Sequence, residues 1–191
     1  MINRTYDRLL FVDTETGGLD PLKHSLLTIG IAVWDLHDGL LDSSEYYIKN
    51  KEYLVTKEAQ KVNKFDKEMH ESKAQSSQII IKSLTDFCSK YFDANLAVPL
   101  AGHNTQFDIG FLKVFLEENG RSFGSIFSHR IIDTYSIIKF LCYCGKIEQN
   151  ISSSAEAFRY FNIKVDNRHT ALGDVIATVE LFDAMIKLTM K

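Results

Sequence analysis

Leu9-Leu10-Phe11-Val12-Asp13-Thr14-Glu15, running on into Thr16-Gly17-Gly18-Leu19, is the stretch on which the reading of this chain turns. Its first four residues form a short apolar run of the kind that makes a buried strand. The run ends in two acids one residue apart. Side chains at i and i+2 of a strand share a face, so Asp13 and Glu15 point the same way. Two carboxylates on one face repel unless a positive charge lies between them. A hard divalent cation, which prefers oxygen ligands, is the economical answer; an exposed acidic turn at a strand end is the plainer one.

Working outward, Gly17-Gly18 and Asp20-Pro21 signal a turn. Residues 26–34 read as a second strand, Asp38-Gly39 as a hairpin signal, and residues 45–49 as a third strand antiparallel to the second. Residues 56–63 read as a short surface helix and 64–75 as a polar, loop-rich stretch. Residues 79–91 carry Ile80, Leu84, Phe87 and Tyr91 at helical spacing. A fourth strand covers 96–101. Asn104 then caps a helix to about 119, with Gly120 as its stop. Ile131-Ile132 is a brief strand, Asp133 or Thr134 caps a helix to about 143, and one of Ser152, Ser153 and Ser154 starts another ending near 161. The last helix spans about 170–188 and buries Ala171, Val175, Val179, Phe182 and Ile186. Three strands first, then strands alternating with helices, give a mixed sheet with helices packed against it.

The bulk properties fit one domain spanning residues 1–191. At this length and 45% hydrophobic residues the chain can bury a substantial core without staples. Only Pro21 and Pro99 occur, and no Pro/Gly/Ser-rich linker interrupts the sequence. Cys88, Cys142 and Cys144 have no disulfide or metal-pair spacing and read as inert thiols in a reducing compartment. The polar start and the lack of an apolar run near the roughly 20 residues that span a bilayer point to a cytoplasmic protein without a membrane partner. The net charge of −3 looks wrong for a nucleic-acid partner. With four acids set aside as cation ligands, however, 25 acidic residues become 21 against 22 Lys and Arg.

Two further segments carry chemistry. In His103-Asn104-Thr105-Gln106-Phe107-Asp108, Asp108 falls in the first turn of a helix, where the macrodipole favours a carboxylate; it becomes a ligand only if the fourth strand lies beside the first. In His169-Thr170-Ala171-Leu172-Gly173-Asp174, residues five apart on a helix differ by about 140° and could not serve one target. His169 is therefore placed just before the helix, where an imidazole can reach a water and titrate near neutral pH. Each signal alone has a bland explanation. Together they supply four hard oxygen ligands and one imidazole, and two cations about 3.5–4 Å apart in such a site clamp a phosphate for in-line attack by water.

These segments, with residues 55–65, Gly110-Phe111-Leu112 and Asp133-Thr134, resemble the DEDD-type, DnaQ-like (proofreading epsilon-like) 3′–5′ exonucleases, in the subgroup that uses a histidine. The likeness covers nearly the whole chain in the family's order. It implies an α/β, ribonuclease-H-like fold: a five-stranded mixed β-sheet flanked by α-helices, with the first strand central and next to the fourth. It also implies two divalent cations, Mg²⁺ or Mn²⁺, held by Asp13, Glu15, Asp108 and Asp174, with His169 as general base. The expected partner is single-stranded or frayed 3′-ended DNA or RNA, cut to 5′-mononucleotides. Thr16, Gly17, Gly18 and Leu19 match the loop that meets the terminal nucleotide, with Leu19 as a wedge beneath the last base and loop N–H groups toward the 3′-hydroxyl.

Asn104 is a helix cap, a substrate contact or both, and Phe107 a base-stacking or a core aromatic. Family members occur as homodimers, as polymerase subunits and alone. Thr28 departs from the pattern, since many relatives carry glutamate there. Lys61, Lys64, Lys67 and Lys73 read as a solvated face, His24, His37, His70 and His129 as surface histidines, and Trp34 as sheet packing. The rival readings are a non-catalytic binding or assembly subunit of the same fold, an exoribonuclease, and an endonuclease of the ribonuclease-H type.

Overall fold

A computed structural model describes residues 7–190. Five strands form one sheet in the order β3-β2-β1-β4-β5: β1 (Arg8–Thr16), β2 (Leu26–Asp35), β3 (Gly39–Tyr47), β4 (Val98–Gly102) and β5 (Phe127–Asp133). The first three are antiparallel neighbours, and β4 and β5 run parallel to β1. Helices α1 (Lys57–Asn63), α2 (Lys67–Lys73) and α3 (Ser77–Tyr91) follow β3, α4 (Gln106–Glu118) follows β4, and α5 (Thr134–Tyr143), α6 (Ser154–Tyr160) and α7 (Ala171–Thr189) follow β5. This is the ribonuclease-H-like mixed sheet that the family resemblance implied, with β1 central beside β4.

Strand alternation divides the chemistry between the two faces of the sheet. Leu10 and Val12 of β1 pack with Ile29, Ile31 and Val33 of β2 against α3 and α4. Phe11 packs with Ala32 and Trp34 against Val175, Val179 and Phe182 of α7. Asp13 and Glu15 continue the odd-numbered row and so look toward α7, while Thr14 continues the even row toward α4. Trp34 is buried, and its indole N–H donates to Asp183 Oδ1 at 2.6 Å.

Several elements differ from the sequence reading. β1 runs on through Thr16, because its pairing with β2 persists past Asp13 to a bulge between Glu15 and Thr16. β3 occupies Gly39–Tyr47 rather than residues 45–49. The stretch read as loop contains α2, capped by the Asp66 side chain accepting from Met69 N. Its single buried residue is His70, 3% exposed, whose Nε2 lies 3.0 Å from Ile48 O among Tyr47, Tyr53 and Phe65. His70 is thus an interior anchor and not a surface histidine. Asn104 does not cap α4 through its side chain: it has φ 59°, and Thr105 is the cap residue. The Asp133 carboxylate instead accepts from the backbone N–H groups of Asn104 and Thr105 while also capping α5. Burial pushes the Cys88 thiol up to about 12, in keeping with an inert cysteine. No described helix is long and apolar enough to cross a membrane.

Candidate active site

The site forms where β1 and β4 part. Their parallel pairing is confined to Leu10↔Leu100 and Phe11↔Ala101, so the Thr14 N–H is left over on that edge of β1. Asp108, in the first turn of α4, takes it: Asp108 Oδ1 accepts from Thr14 N at 2.8 Å and from Thr14 Oγ1 at 2.7 Å. On the other face, α7 begins at Thr170, whose hydroxyl accepts from Gly173 N. This first turn delivers Asp174. One oxygen from each of Asp13, Glu15 and Asp174 lies within 4.8 Å of the others, a spacing that can hold a metal ion. Asp108 stands outside that trio but close enough to be the largest charge acting on Asp13.

The electrostatics are those of an acid cluster short of positive charge. Asp13 is pushed well above the usual carboxylate range, first by burial and then by Asp108, Glu15 and Asp174. Glu15 is pushed up to about 8 by burial and then by Asp174, Asp108 and Glu45. Asp108 is pushed up to about 7 by burial, against the two hydrogen bonds from Thr14 that favour its charged form. Asp13 and Glu15, which resist ionisation side by side, have oxygens that converge with one of Asp174, an arrangement that fits a divalent cation, which lets crowded carboxyls be charged together.

Arg168 offsets part of this repulsion, and sequence reasoning missed it. Its Nη1 donates to Asp174 Oδ1 at 2.7 Å, its Nη2 to Ser154 Oγ at 3.0 Å, and the guanidinium lies 5.0 Å from the Phe158 ring centroid. One oxygen of Asp174 is therefore occupied by the chain itself, as Thr14 occupies one of Asp108, and the remaining oxygens are free to ligate. The available signal was a cation beside the histidine of the His169–Asp174 segment.

His169 lies off the helix, as expected, with φ 66° in the turn before Thr170. It shares a recess of about 70 Å³ with Glu15. Glu15 also borders a larger recess of about 510 Å³, lined by Thr14, Thr16, Gly18, Leu19, Val62 and Phe107 among others. Leu19 and Val62 are 85% and 54% exposed, an apolar pair held in water at the rim. Phe107 borders the recess while its ring packs 5.2 Å from Phe111, at the edge of the core.

Gly17 and Asn104 do not line this recess. A Cβ on Gly17 would lie 2.0 Å from Leu54 O, which makes that glycine a close-packing requirement. Its N–H donates to Ser25 O at 2.7 Å and is not free for a 3′-hydroxyl. Val62 was also missed; an exposed apolar residue on the otherwise polar α1 was the available signal.

His103 stands at the end of β4 with Nδ1 2.9 Å from Thr134 Oγ1. The Thr134 hydroxyl already donates to Gly102 O at 3.0 Å, so the ring nitrogen must be the donor and Nε2 is the free acceptor. Burial lowers the pKa of this imidazole.

Comparison with known proteins supports the same class. The chain is 25% identical over 175 residues to a PolC-type DNA polymerase III of Caldanaerobacter subterraneus subsp. tengcongensis, covering 92% of this chain but 11% of that protein. Its fold matches cell-death related nuclease 4 at a TM-score of 0.77 and 13% identity, over 95% of this chain and 64% of that one. It matches E. coli exonuclease I in complex with a dT13 oligonucleotide at 0.75 and 16%, over 95% and 41%. The chain thus spans only part of each of these relatives. The RNase_T family model, described as exonuclease, matches residues 10–182, and the chain belongs to that exonuclease family.

Proposed function

We propose that residues 1–191 work as one metal-dependent 3′–5′ exonuclease domain that shortens single-stranded or frayed nucleic acid ends and releases 5′-mononucleotides. The observation that carries this is the convergence of Asp13, Glu15 and Asp174 beside an apolar recess that Glu15 also borders. Asp13, Glu15, Asp108 and Asp174 would hold two divalent cations, Mg²⁺ or Mn²⁺. When bound, such cations supply charge stabilisation at the phosphate and an acidified water.

The chain's own groups account for the rest. His169, outside the helix in the recess it shares with Glu15, accepts the proton of the attacking water. Leu19, Val62 and Phe107 present apolar surface to a terminal base. Thr16 and Gly18 shape the floor of that recess, and the exposed Asn104 contacts the strand behind it. A recess of this size admits one unpaired nucleotide, which is why frayed or single-stranded ends are favoured. Exonuclease I, a structural neighbour, was captured with single-stranded dT13, and DNA is accordingly the first polymer to test, with RNA as the alternative.

The test is incubation of matched 5′-labelled DNA and RNA oligonucleotides with the protein and Mg²⁺ or Mn²⁺. A ladder shortening stepwise from the 3′ end is expected, abolished by EDTA and by Asp13→Ala, with circular substrates left intact. His169→Ala should lower the rate strongly while sparing metal binding. Intact linear DNA and RNA would overturn the reading in favour of a non-catalytic subunit, and cutting of circles would favour an endonuclease.

A further inference from the structure

The face of the sheet that carries Asp13 and Glu15 does not end at β2. Register pairs Asp13 with Gly30 and Gly30 with Glu45, and pairs Glu15 with Thr28 and Thr28 with Tyr47. Two rows therefore run from the acid pair to the outer strand β3, on the face that α7 covers. At their middle the first turn of α7 lies directly on the sheet: a Cβ on Gly30 would stand 2.3 Å from Ala171 O and 2.9 Å from Leu172 N. A helix that starts here leaves N–H groups without intrahelical partners. Thr170 satisfies that of Gly173. The next is satisfied from another strand: Leu172 N donates to Glu45 Oε1 at 3.1 Å, and Tyr47 Oη donates to Glu45 Oε2 at 2.7 Å. Thr28 lies buried between Glu15 and Tyr47.

We propose that Glu45 is a positioning residue of the site. With Tyr47 it forms a strut from β3 that fixes the first turn of α7 on Gly30, and with it the places of His169 and Asp174. A group such as His169, held at positive φ outside the helix, gets little constraint from the helix itself, so the turn that follows must be fixed by tertiary bonds. The inference rests on the exonuclease reading for its catalytic consequence, but not for the strut.

The test compares Glu45→Ala, Glu45→Gln and Tyr47→Phe in the full chain by steady-state kinetics on a single-stranded oligonucleotide and by hydrogen exchange at the Leu172 amide. Glu45→Ala should lower kcat about 10–100-fold with KM within about twofold of wild type, and should speed exchange at Leu172 by about tenfold or more. Glu45→Gln, whose amide oxygen still accepts from Leu172 N, should recover most of both, with Tyr47→Phe in between. A Leu172 amide that exchanges alike in wild type and Glu45→Ala overturns the strut. An unprotected amide with unchanged kcat, or an equal loss in Glu45→Gln, overturns the positioning role. Exchange is read without activity, so an inactive wild type would sink the exonuclease reading while a protected Leu172 left the strut standing.

Discussion

Helices α4 and α7 each bring one carboxylate to the acid pair of β1, and they hold it by opposite means. Asp108 is buried and held by two neutral donors, the N–H and hydroxyl of Thr14. Asp174 is partly exposed and held by a full positive charge, Arg168, itself tied to α6 through Ser154. The first arrangement fixes geometry but leaves the carboxyl half inclined to keep its proton, at about 7. The second sets a full positive charge against the carboxyl. The centre is therefore asymmetric before any ion arrives: one flank is locked into the sheet, and the other hangs on an arginine and on the first turn of a helix.

The largest expected effect tests what the two flanks share. Asp13 feels Asp108, Glu15 and Asp174 together. Asp13→Asn should cut the rate on the order of 1,000-fold or more, as for groups that act as a unit, and should raise the melting temperature of the metal-free protein by relieving repulsion. Retention of substantial activity would break the picture of one centre served by both helices.

On the α7 flank, Arg168→Ala should cost about 10–100-fold in kcat, as for outer-shell partners of metal ligands. Arg168→Lys should recover only part, since an ammonium cannot span Asp174 and Ser154 as the fork does. Full activity in Arg168→Ala at saturating Mg²⁺ would show that Asp174 needs no such support. On the α4 flank, Thr14→Val removes the hydroxyl donor but keeps the backbone one. Without that bond the pKa of Asp108 rises, so the acid limb of the kcat–pH profile should move to higher pH, with about tenfold loss near neutrality; an unmoved limb would contradict the role of the hydroxyl.

The smallest effect concerns stability. Glu15 and Asp108 have raised folded-state pKa values, so between about pH 4.5 and 8 the folded protein binds more protons than the unfolded chain. Their contribution to stability is thus present at low pH and lost as pH rises through the folded values. In EDTA the melting temperature should fall across this window by several degrees, at roughly 2–4 °C per kcal/mol for a chain of this size. Added Mg²⁺ should reverse the fall and stabilise more at higher pH. A melting temperature that rose over this window in EDTA would contradict the raised values.

Much of this centre was legible in the sequence because it depends on short-range geometry. Asp13 and Glu15 share a face by strand alternation, and His169 had to leave the helix because five residues do not bring it round to Asp174. What was hidden depends on partners distant in sequence. Glu45 acts on Leu172 across 127 positions, and nothing in its own neighbourhood marks it. Helix α2 has a histidine for its one buried residue, so no apolar period announces it. Asn104 looked like a cap because its residue type suits one, whereas Asp133, supplied by β5, satisfies the N–H groups at the start of α4.

Crowded, proton-retaining carboxyls should become a cation site once a divalent ion is offered. Calorimetric titration of the metal-free protein with Mn²⁺ at pH 7, repeated in two buffers of different ionisation enthalpy, reads it directly. Saturable binding that releases protons is expected, because Glu15 and Asp108 titrate at about 8 and about 7 without metal, and Asp13→Asn should abolish or greatly weaken it. Binding without proton release, or binding that Asp13→Asn leaves unchanged, would contradict it.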